Sequence, residues 1–247
     1  MRYSGRRKIN FRMVLAALIA VVGIAVLVYP TASNMVFEYQ VDGQKQNFLS
    51  KTRGNGTTTG SDGLSANPGE LPHEDLYQYL LSENQRLYET GQVRLVDAFA
   101  YQTIGVNLDD YGIDDGCIGF ISIPSISIEL PIYLGANNTN MEKGAVHLTE
   151  TSYPIGGINS NVVIAAHRGQ TRNMFRNIDR LQYGDEVIIS NFREDLVYKV
   201  VESRVIDPTE IGLVKIQPGR DMITLVSCHP VGSVSQRYIV YCERVLP

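Results

Sequence analysis

The sequence predicts a mainly β domain carried on one membrane-spanning helix, and three observations support this. From Cys117 to the C-terminus, short runs of β-branched and aromatic residues are separated by Gly, Pro, Asn and Asp. Residues 13–29, MVLAALIAVVGIAVLVY, contain neither a charge nor an amide. Between these regions, residues 51–69, KTRGNGTTTGSDGLSANPG, hold almost no apolar side chain. Of the 247 residues, 44% are hydrophobic and 19% charged. That composition can build a core, and it excludes collagen, low-complexity disorder and a polytopic membrane protein.

Arg2, Arg6, Arg7, Lys8 and Arg12 precede the first acidic residue, Glu38. The apolar run that follows reaches roughly 25 Å as a helix, enough to span a bilayer with Arg12 snorkelling and Tyr29 at the interface. The rival reading is a signal peptide cleaved near Thr31-Ala32-Ser33, but the run exceeds a usual h-region of roughly 7–15 residues, so an uncleaved anchor is expected. The basic tail, residues 1–12, is then cytoplasmic and the body lies outside, giving a single-pass membrane protein. Without those five basic residues the chain carries 17 basic against 26 acidic residues. So acidic a body makes no nucleic-acid partner expected.

Residues 30–72 read as a flexible extracytoplasmic linker. A helix follows over about 73–90. Pro72, Glu74 and Asp75 open it, Leu76, Leu80 and Leu87 recur at helical spacing, and Gly91 stops it. It begins an arm, residues 73–115, that leads into the β domain, residues 116–247. Candidate strands are 117–123, 126–133, 162–166, 186–190, 196–206, 222–227 and 237–243, and regular spacing of this kind points to a closed barrel or a sandwich. One helix is expected near 171–181, with Met174, Phe175, Ile178 and Leu181 as its core stripe.

Three cysteines, Cys117, Cys228 and Cys242, leave at least one thiol over outside the cell. Cys117 and Cys242 lie in apolar runs where they could pair or act as small hydrophobes. Cys228 ends a strand-like run that Pro230 stops, so its thiol sits at a strand end. A free thiol is only a few per cent thiolate at neutral pH, so nucleophilic work needs a basic or cationic partner. His229 is adjacent in an extended chain and points to the opposite face. His167 also ends a strand, and Arg237 begins the strand after Cys228. A buried, inert thiol is the plain alternative. A zinc site from His147, His167 and Cys228 lacks any close ligand spacing, so no metal and no cofactor are expected.

The segments Thr224-Leu-Val-Ser-Cys228, His167-Arg-Gly169 and Gln236-Arg237 resemble the TLxTC nucleophile motif, the catalytic His and the catalytic Arg of the sortases, membrane-anchored cysteine transpeptidases of Gram-positive bacteria. Gly119-Phe-Ile-Ser-Ile-Pro124, Leu130-Pro-Ile-Tyr133, His147-Leu and Thr151-Ser-Tyr-Pro-Ile-Gly-Gly157 resemble the pilus-polymerising class C branch. Asp97-Ala-Phe99 is similar to that branch's Asp-Pro-aromatic lid, with Ala98 where the lid has Pro. Ser227 and His229 each stand where the family has Thr, and the second hydrophobic anchor common in class C is missing from this sequence.

The resemblance implies an eight-stranded β-barrel with one or two short helices behind a helical, lid-bearing arm. It implies catalytic Cys228, His167 and Arg237, with Asp97 facing Arg237 and Phe99 over Cys228. It also implies a pilin or surface protein with a C-terminal LPXTG-like sorting signal as substrate, and a pilin lysine or the cell-wall cross-bridge as the amine. The non-enzymatic alternative is a membrane-tethered β-barrel binding module.

Overall fold

The computed structural model describes residues 11–54, 72–95, 103–169 and 173–245. Helix α1 (Phe11–Arg53) is continuous for 43 residues. Its first part is solvent-facing and apolar, and it is the one helix among the described residues long and apolar enough to cross a membrane. Pro30 lies inside the helix at the end of the apolar run.

The linker expected over 30–72 is therefore helix as far as Arg53, while residues 55–71 lie outside the described ones. Tertiary packing overrides the mixed composition there. Val41 and Phe48 are buried against the β domain, with Phe37 and Leu49 partly so. The Phe48 ring meets Phe120 edge-on at 5.5 Å. Polar contacts flank that seam: Gln44 donates to the Tyr133 hydroxyl at 3.0 Å, Lys45 pairs with Glu129, and Arg53 reaches Asp195 at 2.8 Å. Lys51 and Arg53 also suit the negative end of the helix dipole.

Helix α2 (Glu74–Glu89) forms where expected and ends at Gly91, whose φ of +62° suits the absence of a side chain. Leu76, Leu80 and Leu87 face inward with Asn84. The Asn84 amide accepts from Tyr153 N–H at 2.7 Å and donates to Tyr153 O at 3.3 Å, fixing the helix to the segment before the fourth strand.

Eight strands close into a barrel: β1 (Cys117–Ile123), β2 (Ile128–Leu134), β3 (Ala145–His147), β4 (Ser160–Ala165), β5 (Glu186–Asn191), β6 (Asp195–Ile206), β7 (Asp221–His229) and β8 (Gln236–Arg244). Their order is β1-β2-β3-β4-β7-β8-β6-β5, with β2–β3 and β4–β7 parallel and the other pairs antiparallel. The seven strands expected from sequence are all present, their ends moved by at most two residues. Strand β3 was not expected, being three residues long after the short helix α3 (Asn138–Lys143). At Gly119 an added Cβ would lie 2.5 Å from Ser190 O, so only glycine lets β1 approach β5 there.

The helix expected over 171–181 is not present in the described residues. Only Ile178–Arg180 makes a 3-10 turn, although Met174, Phe175, Ile178 and Leu181 are buried as their stripe predicted. Long-range partners hold this loop instead: Phe175 N–H donates to His167 O at 3.0 Å, and Arg168 Nε donates to Arg176 O at 3.2 Å.

Phe48 is the largest buried side chain that α1 places on the barrel. Phe48→Ala should cost about 3 kcal/mol at that seam. Hydrogen exchange should then rise through residues 41–53 and stay unchanged in the barrel strands. Equal protection in parent and variant would show that the seam does not hold the helix.

Candidate active site

Strand pairing assembles the site. In the antiparallel β7–β8 ladder Cys228 lies directly opposite Arg237, so the two share a face. Parallel pairing of β4 with β7 sets Ala165 against Val226, and Ala166 N–H donates to Val226 O at 3.3 Å. Carried two residues further, the same register sets His167 beside Cys228. The Ser227 hydroxyl donates to Ala166 O at 2.8 Å and closes the ladder at its last pair. Either Ser or Thr supplies that donor, which explains why Ser227 serves here.

His167, Cys228 and Arg237 line one open cavity of about 260 Å³, whose floor includes Ala165, Leu148 and Val226. His167 is exposed, while Cys228 and Arg237 are half-buried. Arg237 Nη1 donates to Val234 O at 2.6 Å and to Gln236 O at 2.9 Å. The three residues singled out from sequence thus meet in one cavity, on three strand ends at one rim.

The other thiols stand apart. All three cysteines are free, so Cys117 and Cys242 do not pair. Burial pushes the Cys117 thiol up to about 12 and Cys242 higher still. As protonated thiols at neutral pH they are poor nucleophiles. Of the three, only Cys228 is reachable, and only it lies beside an imidazole and a guanidinium.

His147 does not join His167 and Cys228. Its Nε2 lies 3.2 and 3.1 Å from the carbonyls of Thr151 and Ser152, and its ring stacks on Tyr153 at 5.0 Å. Nε2 therefore donates to carbonyls and presents no lone pair to a metal. Among the described residues no group of three or more His, Cys, Asp or Glu stands close enough to hold a metal ion. Asp97, Ala98 and Phe99 of the expected lid lie outside the described residues.

Arg168 was not singled out from sequence. It is buried, with Nη2 2.7 Å from Asp179, Nη1 3.0 Å from His229 Nδ1 and Nη1 3.5 Å from Cys228 O. A charged residue directly after a strand-end His, in a segment otherwise apolar on its N-terminal side, was the available signal.

The model of the Sortase domain family matches residues 121–245, half of the chain and nearly the whole barrel. The chain belongs to the sortase family. Sortase D of Bacillus subtilis (strain 168) is 30% identical over 130 residues, which are 51% of this chain and 63% of that protein, so this sortase spans less than two thirds of that curated relative. Among solved structures, the Group B Streptococcus Pilus Island 1 Sortase C2 is 34% identical with a TM-score of 0.60, covering 70% of this chain and 98% of that one. Sortase C from Clostridium perfringens SM101 is 29% identical with a TM-score of 0.64, covering 83% and 99%. The barrel and the long apolar N-terminal helix expected from sequence are thus those of a sortase with sortase C relatives.

Burial lowers the His147 pKa from 6.5 to about 4, the carbonyls of Thr151 and Ser152 opposing the shift. In the unfolded chain this imidazole binds protons below pH 6.5, and in the fold only near 4. Its contribution to stability is therefore complete above pH 6.5 and is lost as pH falls from 6.5 towards 4, on the order of 3 kcal/mol in all. In urea titrations from pH 7 to 4.5, His147→Gln should show a shallower loss of stability than the parent. Parallel curves would remove His147 as the titrating group.

Proposed function

We propose that this sortase is a membrane-anchored cysteine transpeptidase of the pilus-assembling class C kind. The observation that carries the reading is the cavity shared by Cys228, His167 and Arg237, at the one reachable thiol of the three. The Cys228 thiolate attacks the scissile carbonyl of an LPXTG-like sorting signal, forming a thioester as the peptide C–N bond breaks. His167 in its protonated form gives its proton to the departing amine, and its neutral form then takes one from the incoming amine. Arg237 has no role as a base, because a guanidinium stays protonated; it donates to the developing oxyanion or to the substrate backbone.

The solved relatives favour a pilin lysine as the incoming amine, since they include Pilus Island and pilus-related sortases. The substrate is then a pilin or surface protein at the cell surface. Residues 13–29 anchor the enzyme, with the basic tail, residues 1–12, in the cytoplasm and the barrel outside. The anchor is uncleaved in this reading, and its continuity with the helix docked on the barrel supports that.

Asp97 and Phe99 form the lid, with Asp97 towards Arg237 and Phe99 over Cys228. The described residues on either side of that segment are held by hydrogen bonds to residues 149 and 150. Gln92 Nε2 donates to Glu150 O at 2.9 Å on one flank, and Thr149 Oγ1 donates to Thr103 O on the other. Leu148, the neighbour of Thr149, lines the cavity itself.

In single-turnover assays with a sorting-signal peptide, Cys228→Ala should abolish the thioacyl species seen by mass measurement. Arg237→Lys keeps the charge but loses the planar fork, and it should slow acylation by about a hundredfold. An Arg237→Lys enzyme at the parent rate would remove the role assigned to Arg237.

Burying an aromatic ring stabilises by up to roughly 1.5–3 kcal/mol, against about 0–1 kcal/mol for an exposed ion pair. Phe99→Ala should therefore speed alkylation of Cys228 more than Asp97→Ala does, and Ala98→Pro should slow it by restricting the open loop. Identical alkylation rates in all three variants and the parent would leave residues 97–99 as a plain connector.

A further inference from the structure

Each member of the candidate site is followed in the chain by a residue that meets the others on the opposite face. In extended backbone successive side chains alternate, so Arg168, His229 and Tyr238 lie behind His167, Cys228 and Arg237. The β7–β8 register shows this directly: Cys228 pairs with Arg237, while Ser227 pairs with Tyr238 and His229 with Gln236. Behind the thiol the three residues cluster. The Arg168 guanidinium lies 5.5 Å from the Tyr238 ring centre and 3.0 Å from His229 Nδ1, and the rings of His229 and Tyr238 are 5.9 Å apart.

Arg168 contributes more than packing. Its side chain is 2% exposed, and its donors go to four places: Asp179 at 2.7 Å, Arg176 O at 3.2 Å, His229 Nδ1 at 3.0 Å and Cys228 O at 3.5 Å. A guanidinium cannot accept, so Nδ1 of His229 presents its lone pair and the ring proton sits on Nε2. One rigid fork thus joins the end of β4, the loop carrying Asp179 and the end of β7. Arg168 is too deeply buried to touch a substrate in the cavity.

We propose that Arg168 is a positioning residue of this sortase, its buried guanidinium holding the strand ends of His167 and Cys228 in catalytic register through His229 Nδ1 and the Cys228 carbonyl. The inference rests on the catalytic roles given to Cys228 and His167 above. A shift of about 1 Å between two reacting groups can cost on the order of a hundredfold in rate. A single ammonium on a flexible stem offers no such fork, so lysine is not an equivalent here.

The test uses the full chain in nanodiscs and four variants, with transpeptidation of a sorting-signal peptide and alkylation of Cys228 by iodoacetamide read separately. Arg168→Lys and Arg168→Met should lower kcat about ten- to a hundredfold with KM within about twofold, because an interaction that substrate never meets has been lost. His229→Leu, which removes the acceptor, should follow them, whereas His229→Asn, which restores one, should stay near the parent. The pH at which Cys228 alkylation rises should move by about half a unit or more in Arg168→Lys and His229→Leu, and stay in place in His229→Asn. Parent kcat in Arg168→Lys, or equal losses in His229→Leu and His229→Asn, would overturn the proposal. Activity losses that vanish below each variant's melting transition would overturn it too, leaving only a fold-stabilising role. If the parent forms no thioacyl enzyme, the transpeptidase reading fails, yet the alkylation profiles, which need no substrate, still report on Arg168.

Discussion

Everything at the candidate site depends on the parallel ladder between β4 and β7. Parallel pairing sends the carboxyl ends of both strands to the same rim, which brings together His167 and Cys228, 61 residues apart in the chain. Such a pairing carries a loop-closure cost that local contacts cannot repay. The repayment comes from the strands themselves: Val162, Val163, Ile164, Ile223, Leu225 and Val226 are all fully buried. Apart from Asn161 and Thr224, which hydrogen-bond to each other, residues 161–165 and 222–226 read as apolar runs, as expected of parallel strands covered on both faces. The antiparallel turn from β7 into β8 then returns Arg237 to the same rim within nine residues of Cys228.

The two-residue period of the strands then separates the site's tasks. One face of the rim holds His167, Cys228 and Arg237 around an open cavity with an apolar floor. The other holds Arg168, whose charge is expensive to bury and is tolerated because nearly all its donors find acceptors. A hydrophobic side chain of similar size could fill that volume. It could not specify the relative position of three chain segments as a forked donor does, because apolar contacts carry no directional preference.

Much of this was legible in the sequence, and the misses have physical causes. Residues 117–123 and 186–190 declare themselves as strands through their β-branched content. Ala145-Val-His147 is too short to show a period, and only pairing with β2 and β4 makes it a strand. Residues 173–181 show a helical stripe, and their burial follows it, but their backbone donors go to His167 O and to local turns, so a helix does not form. Residues 30–53 look like linker by composition, and Val41 and Phe48 acquire their meaning only from the barrel surface they meet. The meeting of Cys228, His167 and Arg237 at one rim was readable because each was expected at a strand end. Arg168 was signalled only by its charge directly after a strand-end His, and the fold alone shows that it turns into the interior.

The placement of the two long helices leaves the cavity at Cys228 to the barrel rim. Helix α1 docks on β1 and β2 and on the β5–β6 turn through Phe48, Lys45 and Arg53, and α2 docks on the segment before β4 through Asn84. Neither helix lines the cavity that holds the thiol. Helix docking is thereby separated from the site. The contacts that hold the two helices to the barrel lie elsewhere on it, so a change of a few kcal/mol at those seams can free a helix without loosening the strand ends that line the cavity.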